Sequence, residues 1–254
     1  MIYYNDNNAQ ACVWLHALMD SGLVERGKID NRSISDVSGN QLLKYGRVHL
    51  FAGIAGWERA LQIAGWPSDV PVWTGSCPCQ PFSCAGKGKG DKDERHLWPE
   101  FRRLIDECRP PVVFGEQVAS KLGRQWLSRV RLDLEEMGYA VGAADLCAAG
   151  VGAPHIRQRL YWMAYTGYRE RRPFIEGRGT QGRTADGWFS PWSDSRIIHC
   201  RDGKTRRIPV ESALFPLAHG IPGRVAALRG IGNSIVPVLA AEFVRAFMQV
   251  MEMF

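Results

Sequence analysis

No stretch of the 254-residue chain approaches the ~18 uninterrupted apolar residues that a membrane-crossing helix needs, which argues against a helical span. The opening MIYYNDNNAQ lacks the basic-then-apolar pattern of a secretory signal, so the expectation is a protein that stays in the cytoplasm. Cysteine is irregularly placed. Cys12, Cys77, Cys79, Cys84, Cys108, Cys147 and Cys200 suggest no disulfide framework and suit a reducing compartment, where a thiol is either buried or reactive. Internal repeats are missing as well. What is present is apolar and aromatic: 45% hydrophobic residues with nine Trp and ten Phe exclude a disordered chain and leave enough for a proper core.

Charge is nearly balanced except in one segment. Thr166 to Val210 holds ten basic residues (nine Arg and Lys204) against five acidic ones, so it carries +5 of the net +6. A near-neutral body with one Arg-rich segment suits an enzyme with a polyanion-gripping insert; the plainer alternative is a solvated basic loop.

Along the chain, strand-like and helical runs alternate. Strands are expected at Met1–Tyr4, Arg47–Ala52, Val70–Gly75, Pro111–Gly115, Val141–Leu146 and Leu160–Ala164. Helices are expected at Ala9–Met19, Trp57–Ala64, Trp98–Glu107 and Lys121–Met137, with a last one after Pro237. This order predicts an open α/β sheet with helices on both faces. From Thr166 to Pro222 the chain is rich in Gly, Arg, Pro and Trp without a clean period. The domain reading is therefore a body of residues 1–165 and 222–254 around a small irregular insert, 166–221.

Two turns stand out. Strand Val48-His49-Leu50 runs into Phe51-Ala52-Gly53-Ile54-Ala55-Gly56-Trp57 and then a helix. Small residues there let backbone approach a ligand, and a helix N-terminus adds amide donors; a merely tight βα turn explains them equally well. The segment is not the G-x-G-x-x-G of dinucleotide folds, and no Lys follows to make a phosphate loop. The second turn, Gly75-Ser76-Cys77-Pro78-Cys79-Gln80-Pro81-Phe82-Ser83, should sit at the carboxyl edge of the sheet, where open α/β enzymes place their chemistry. Its Cys79 is either a presented nucleophile or a small buried hydrophobe. Zinc suits it poorly, because C-x-C-x4-C is no zinc knuckle and Phe82 stands where a zinc deaminase needs its second Cys.

Five motifs in order resemble those of the C5-cytosine DNA methyltransferases. Phe51–Trp57 resembles their cofactor motif and Pro78-Cys79-Gln80 their nucleophile motif. Gly115-Glu116-Gln117-Val118 resembles Glu-Asn-Val, with Gln117 in place of Asn. The run from Gly152 to Tyr161 resembles Gln-x-Arg-x-Arg, with His155 where Gln is usual and Arg157 and Arg159 as its arginines. Gly232-Asn233-Ser234-Ile235 resembles the closing Gly-Asn-Ser-Val. The similarity is strongest to compact bacteriophage methylases, and it implies a Rossmann-like S-adenosylmethionine-dependent methyltransferase sheet with a small target-recognition insert. One departure concerns order. The acidic ribose-binding and adenine-binding segments, which the family places after the glycine turn, are matched here by the segments of Asp6 and Asp30, which precede it. We read this as a permuted order; the plainer alternative is that Asp6 caps the helix that follows it.

The resemblance implies roles. Cys79 would add to carbon 6 of cytosine, because carbon 5 is a poor nucleophile until the ring loses its aromaticity. Glu116 would act as the acid at N3, and Arg157 and Arg159 would meet O2 and steady the thiolate. The donor, S-adenosylmethionine, would lie against Phe51, Ala52, Gly53, Ile54, Ala55, Gly56, Trp57, Asp6, Asp30, Pro78, Asn233 and Ser234. The partner would be double-stranded DNA with its target base flipped out. Gln80, Ser83, Lys87 and Lys89 around the closing loop (Cys84–His96) would contact that DNA, as would Arg171, Arg172, Arg206 and Arg207 of the insert. A monomer with no metal and no membrane contact, in a bacterial or phage-infected cell, completes the expectation. A thymidylate-synthase-like enzyme acting on free nucleotides would lack the glycine turn and the Arg-rich insert. A catalytically dead DNA-binding relic would not need Cys79, Glu116 and Arg159 together.

Overall fold

The computed structural model describes residues 1–78, 97–167, 195–199, 203–209 and 232–252. The strands of the main sheet are β1 (Ile2–Asn5), β2 (Lys28–Asp30), β3 (Arg47–Leu50), β4 (Val72–Gly75), β5 (Val112–Val118), β6 (Ala140–Cys147) and β7 (Gln158–Tyr165). The helices are α1 (Ala9–Asp20), α2 (Gly39–Leu42), α3 (Gly56–Ala64), α4 (Trp98–Cys108), α5 (Lys121–Glu136) and α6 (Pro237–Glu252). Strand order in the sheet is β2-β1-β3-β4-β5-β7-β6. From β2 to β5 neighbours run parallel, and β7 runs antiparallel to both β5 and β6.

The strand sequences account for this burial. Ile-Tyr-Tyr-Asn, Arg-Val-His-Leu and Val-Trp-Thr-Gly are buried on both faces, as parallel strands covered by helices must be. On one face, α4 and α5 place Phe101, Leu104, Ile105, Trp126, Val130 and Leu134 against Val48, Leu50, Trp73, Val113 and Trp162. On the other, α3 and α6 bring Leu61, Leu239, Val244 and Phe247 to Val72, Phe114 and Tyr161. Helix α1 packs Leu15 and Met19 on Ile2 and Tyr4. The alternation of Val48 and Leu50 with Arg47 and His49 sends the last two to the α3 face. There Glu58, fully buried, accepts from Arg47 Nη1 (3.0 Å) and pairs with His49 Nε2 (2.9 Å).

Local signals set the helix ends. The Asn8 side chain accepts from the amides of Gln10 and Ala11 at the start of α1, and Ser120 accepts from Gly123 at the start of α5. Gly65, left-handed at φ 76°, closes α3.

Most expected elements lie where the sequence puts them, with three differences. Strand β5 runs three residues beyond Gly115, so Glu116 and Gln117 are strand residues. The β2 segment, read from sequence for its Asp30 motif, is a sheet edge strand paired with β1. The described part of the segment 166–221, expected to be irregular, contains regular structure. Within it, β8 (Ser195–His199) and β9 (Thr205–Pro209) form an antiparallel hairpin in a sheet of its own. In the connection between them Gly203 has φ 73°, the left-handed region that favours glycine. Two adjacent isoleucines, Ile197 and Ile198, mask the period of two. Among the described residues no helix is long and apolar enough to cross a membrane, and no group of three or more His, Cys, Asp or Glu side chains could hold a metal ion.

Candidate functional site

Strands β1, β3, β4 and β5 end at the same edge of the sheet, so the segments that leave them converge. The sharpest is the turn after β3. Phe51, Gly53 and Ala55 all have positive φ (53°, 54° and 58°), and two of the three carry side chains. A left-handed residue with a Cβ costs roughly 1–2 kcal/mol, so the surrounding contacts must hold this conformation in place. Asp6, just past β1, supplies one of them. Its Oδ2 accepts from the Gly53 amide at 2.8 Å, while Oδ1 accepts from Asn8 at 2.9 Å.

Over this turn lies a cleft of about 270 Å³. Asp6, Phe51, Ala52, Gly53, Ile54, Gly56, Trp57, Pro78, Asn233 and Ser234 line it, ten of the residues expected to hold a donor. Two others are placed differently. Ala55 is buried beneath the turn at the start of α3. Asp30 is not a lining residue. Its carboxylate accepts from Arg32 Nη2 (2.6 Å) and Nε, and from the Tyr3 hydroxyl (2.8 Å), and Arg32 holds it well below the ordinary carboxylate range. Sequence reading missed Trp14 of α1, Ile34 and Leu97, which add apolar wall, and Asn5, Asn7 and Asn8 at the polar end. Trp14 lies on the apolar face of the helix expected at Ala9–Met19, Ile34 ends the segment matched to the adenine-binding motif around Asp30, and Leu97 belongs to no motif.

The cleft's wall near α3 depends on a missing side chain. A Cβ on Gly56 would come within 2.8 Å of Ile235 and 3.2 Å of the Ser234 hydroxyl. Gly56 therefore lets segment 234–235, 69 and 70 residues past the end of β7, pack directly on the helix that begins at the glycine turn.

Beside the cleft stands a buried acid. Glu116 on β5 is 8% exposed, and the Arg159 Nε lies 2.8 Å from its Oε1. The register explains this pairing. Glu116 faces Tyr161 across the antiparallel β5–β7 ladder, and Arg159 is the diagonal neighbour on the same face. The Ser76 hydroxyl also hydrogen-bonds this carboxylate. It accepts in turn from Trp57 Nε1 at 3.1 Å, so Ser76 joins the acid to the cleft. Burial pushes the Glu116 carboxyl above its ordinary value, against the opposing pull of Arg159 and then Arg157. Such a carboxyl can hold a proton, with fixed cations ready for charge that develops nearby.

Beyond the pairing of Gly75 with Gly115 the chain of β4 leaves the sheet. The Gln117 side chain bridges the gap, with Nε2 donating to the Cys77 carbonyl (3.2 Å) and Oε1 accepting from Val118 (2.8 Å). The two glycines below have aromatic lids, since Phe101 covers Gly75 and Trp162 covers Gly115. Arg157 reaches across to the far segment, and its Nη2 donates to the carbonyls of Gly232 (2.8 Å) and Ser234 (2.7 Å). Cys79, Gln80, Ser83, Lys87, Lys89, Arg171 and Arg172 lie outside the described residues. Arg206 and Arg207 lie in β9.

The family model for the C-5 cytosine-specific DNA methylase matches residues 58–184, half of the chain. The Type II methyltransferase M.AplI of Arthrospira platensis is 37% identical over 96 residues, which cover 37% of this chain and 28% of that protein. The Type II methyltransferase M.HhaI of Haemophilus parahaemolyticus is 37% identical over 101 residues, 38% of this chain and 31% of the other. The match to this chain thus spans about three tenths of the length of these relatives. Among solved structures, a triple mutant of Spodoptera frugiperda DNMT2 is similar at 20% identity with a TM-score of 0.44, covering 70% of this chain and 47% of that one.

Proposed function

The chain belongs to the C-5 cytosine-specific DNA methylase family, and from that premise we propose that it methylates carbon 5 of cytosine in double-stranded DNA, with S-adenosylmethionine as donor. The observation that carries this reading is a convergence. The glycine turn, the Pro78 end of the nucleophile turn and Asn233-Ser234 line one cleft, and Ser76 links it to the buried Glu116–Arg159 pair.

The cleft suits the donor chemically. The Asp6 carboxylate and the asparagines at one end can pair with ribose hydroxyls, and Phe51, Trp14 and Ile34 offer apolar surface to a base. Bound there, S-adenosylmethionine supplies an electrophilic methyl group for carbon 5. The remaining work falls to this chain. The Cys79 thiolate adds to carbon 6, and the electrons displaced run toward N3 and O2. Glu116, kept protonated by burial, donates to N3, while Arg159 offsets charge at O2. After transfer, loss of the C5 proton to solvent re-expels the Cys79 thiolate and restores the ring. A base inside a duplex is out of reach of these groups, so the target cytosine is flipped out of the stack. The insert 166–221 and the loop after Cys79 are the parts of the chain suited to hold the DNA, the insert by its excess of arginine. The place of action follows the substrate: the cytoplasm of a cell that holds the DNA.

Bisulfite sequencing of plasmid DNA from cells expressing the chain tests the reading. Protected cytosines at a fixed sequence, lost in Cys79→Ser, are expected. Fully converted plasmid from cells holding folded wild-type protein would overturn it.

A further inference from the structure

Arg157 does something that its motif neighbour Arg159 does not. Arg159 turns to the acid on β5, whereas Arg157 sends both protons of Nη2 to two carbonyls of a segment 75 and 77 positions further along the chain. That segment is a wall of the donor cleft, through Asn233, Ser234 and Ile235, and it sits where Gly56 leaves it room. The main chain at this point is anchored too, because the Arg157 carbonyl accepts from the Ala148 amide at 3.0 Å. Burial and the neighbouring Arg159 cation both disfavour charge on Arg157, and among the described residues its buried Nε has no partner. A cation is kept at this place although one of its buried donors has no partner. Its position relates two sites at once, since the same cation acts on Glu116.

Resting on the methyltransferase reading above, we propose that Arg157 is a positioning residue that joins the two halves of the site, clasping the Gly232–Ser234 wall against the donor cleft while fixing its positive charge beside Glu116. Arg159 is then the residue that meets the flipped base. The groups that face Glu116 from the packed elements are Arg159 and Tyr161 on β7, Ser76 after β4, and Arg157 itself; His155 lies within the field of Arg157.

Two substitutions separate the clasp from the charge. Arg157→Lys keeps the cation but loses the long, forked reach, so the donor KM is expected to rise about tenfold or more, with a smaller loss in kcat at saturating donor. Arg157→Gln removes a cation that pulls the Glu116 carboxyl down, so the alkaline limb of the kcat–pH profile should move to higher pH. A general loosening of the loop would move neither quantity in this variant-specific way. A third measurement needs no Arg157 variant. Donor binding and Glu116 ionisation share one clasp, so by reciprocity the wild-type Kd for S-adenosylhomocysteine should change across the pH range where Glu116 titrates, and Glu116→Gln should remove that dependence. A donor KM in Arg157→Lys within twofold of wild type would overturn the clasp. So would a wild-type Kd whose pH dependence survives in Glu116→Gln. Either result in an enzyme that still methylates DNA through Cys79 leaves the proposed function standing, whereas a wild type without methylation would fail at that earlier level.

Discussion

Replacing Gly115 by alanine should be among the most damaging one-atom changes in this chain. The added Cβ would lie 2.2 Å from Cε2 and Cζ2 of Trp162 and 2.5 Å from its Nε1. Carbon pairs settle at about 3.5–4.0 Å, so strand and indole must part by more than an ångström. The indole cannot swing away. Trp162 is fully buried and packed edge-on against Trp98, in the core built by α4 and α5. Overpacking of this kind costs ~1–3 kcal/mol, and a site with no free side belongs at the upper end. For a chain of this size each kcal/mol lowers Tm by about 2–4 °C, so Gly115→Ala should melt roughly 6–12 °C below wild type. Differential scanning calorimetry reads this directly. The displaced strand also carries Glu116 and Gln117, so kcat should fall more than the donor KM rises. A Tm within 1–2 °C of wild type, under the scaling just used, would mean that the indole does not lie over the strand, and the packing argument would be refuted.

Four further outcomes are expected. A duplex with 5-fluorocytosine at the target should trap the wild type covalently, because fluorine at carbon 5 cannot leave as a proton does; mass spectrometry should map the adduct to Cys79, and an adduct on Cys77 or Cys84 would refute the nucleophile. Glu116, with its carboxyl held above the ordinary 4.5, makes the ionised folded state costly, so its contribution to stability declines as pH rises from that value through the raised one, and Glu116→Gln should flatten this slope in urea melts across pH. Asp6→Asn should weaken donor binding measured by calorimetry more than DNA binding, because the amide replaces an acceptor of the Gly53 amide at 2.8 Å; equal losses would separate Asp6 from the cleft. Neutralising Arg171, Arg172, Arg206 and Arg207 together should lower the slope of log Kd for DNA against log salt by roughly one unit per lost phosphate contact, and an unchanged slope would turn the insert away from DNA.

Local features carried the sequence reading furthest. The glycine turn and β5 could be found because strand, turn and helix signals are contiguous, and the sheet order β2-β1-β3 agrees with acidic segments that precede the glycine strand. Asp30 shows the limit. In a linear motif it is a free acid, but Arg32 two residues on and Tyr3 on the adjacent strand occupy its carboxylate, and only pairing of β1 with β2 brings the three together. Trp14 reaches the cleft because α1 lies over β1, a fact of packing that periodicity does not encode. The Arg157 clasp spans 75 positions and ends on main-chain carbonyls, which carry no residue signature at all.

Helix α6 also sets an order in time. It supplies Leu239, Ala240, Ala241, Val244 and Phe247 to the core that covers α3, and the segment just before it lines the cleft over the glycine turn. A ribosome makes all seven strands, the glycine turn and the acid well before it makes these residues. Until α6 is made, Trp66 and Phe114 lack the Phe247 ring that packs on both in the finished fold. Each newly made molecule thus passes through a stage in which Cys79 is already present and the cleft over the glycine turn still lacks the wall that Asn233 and Ser234 give it.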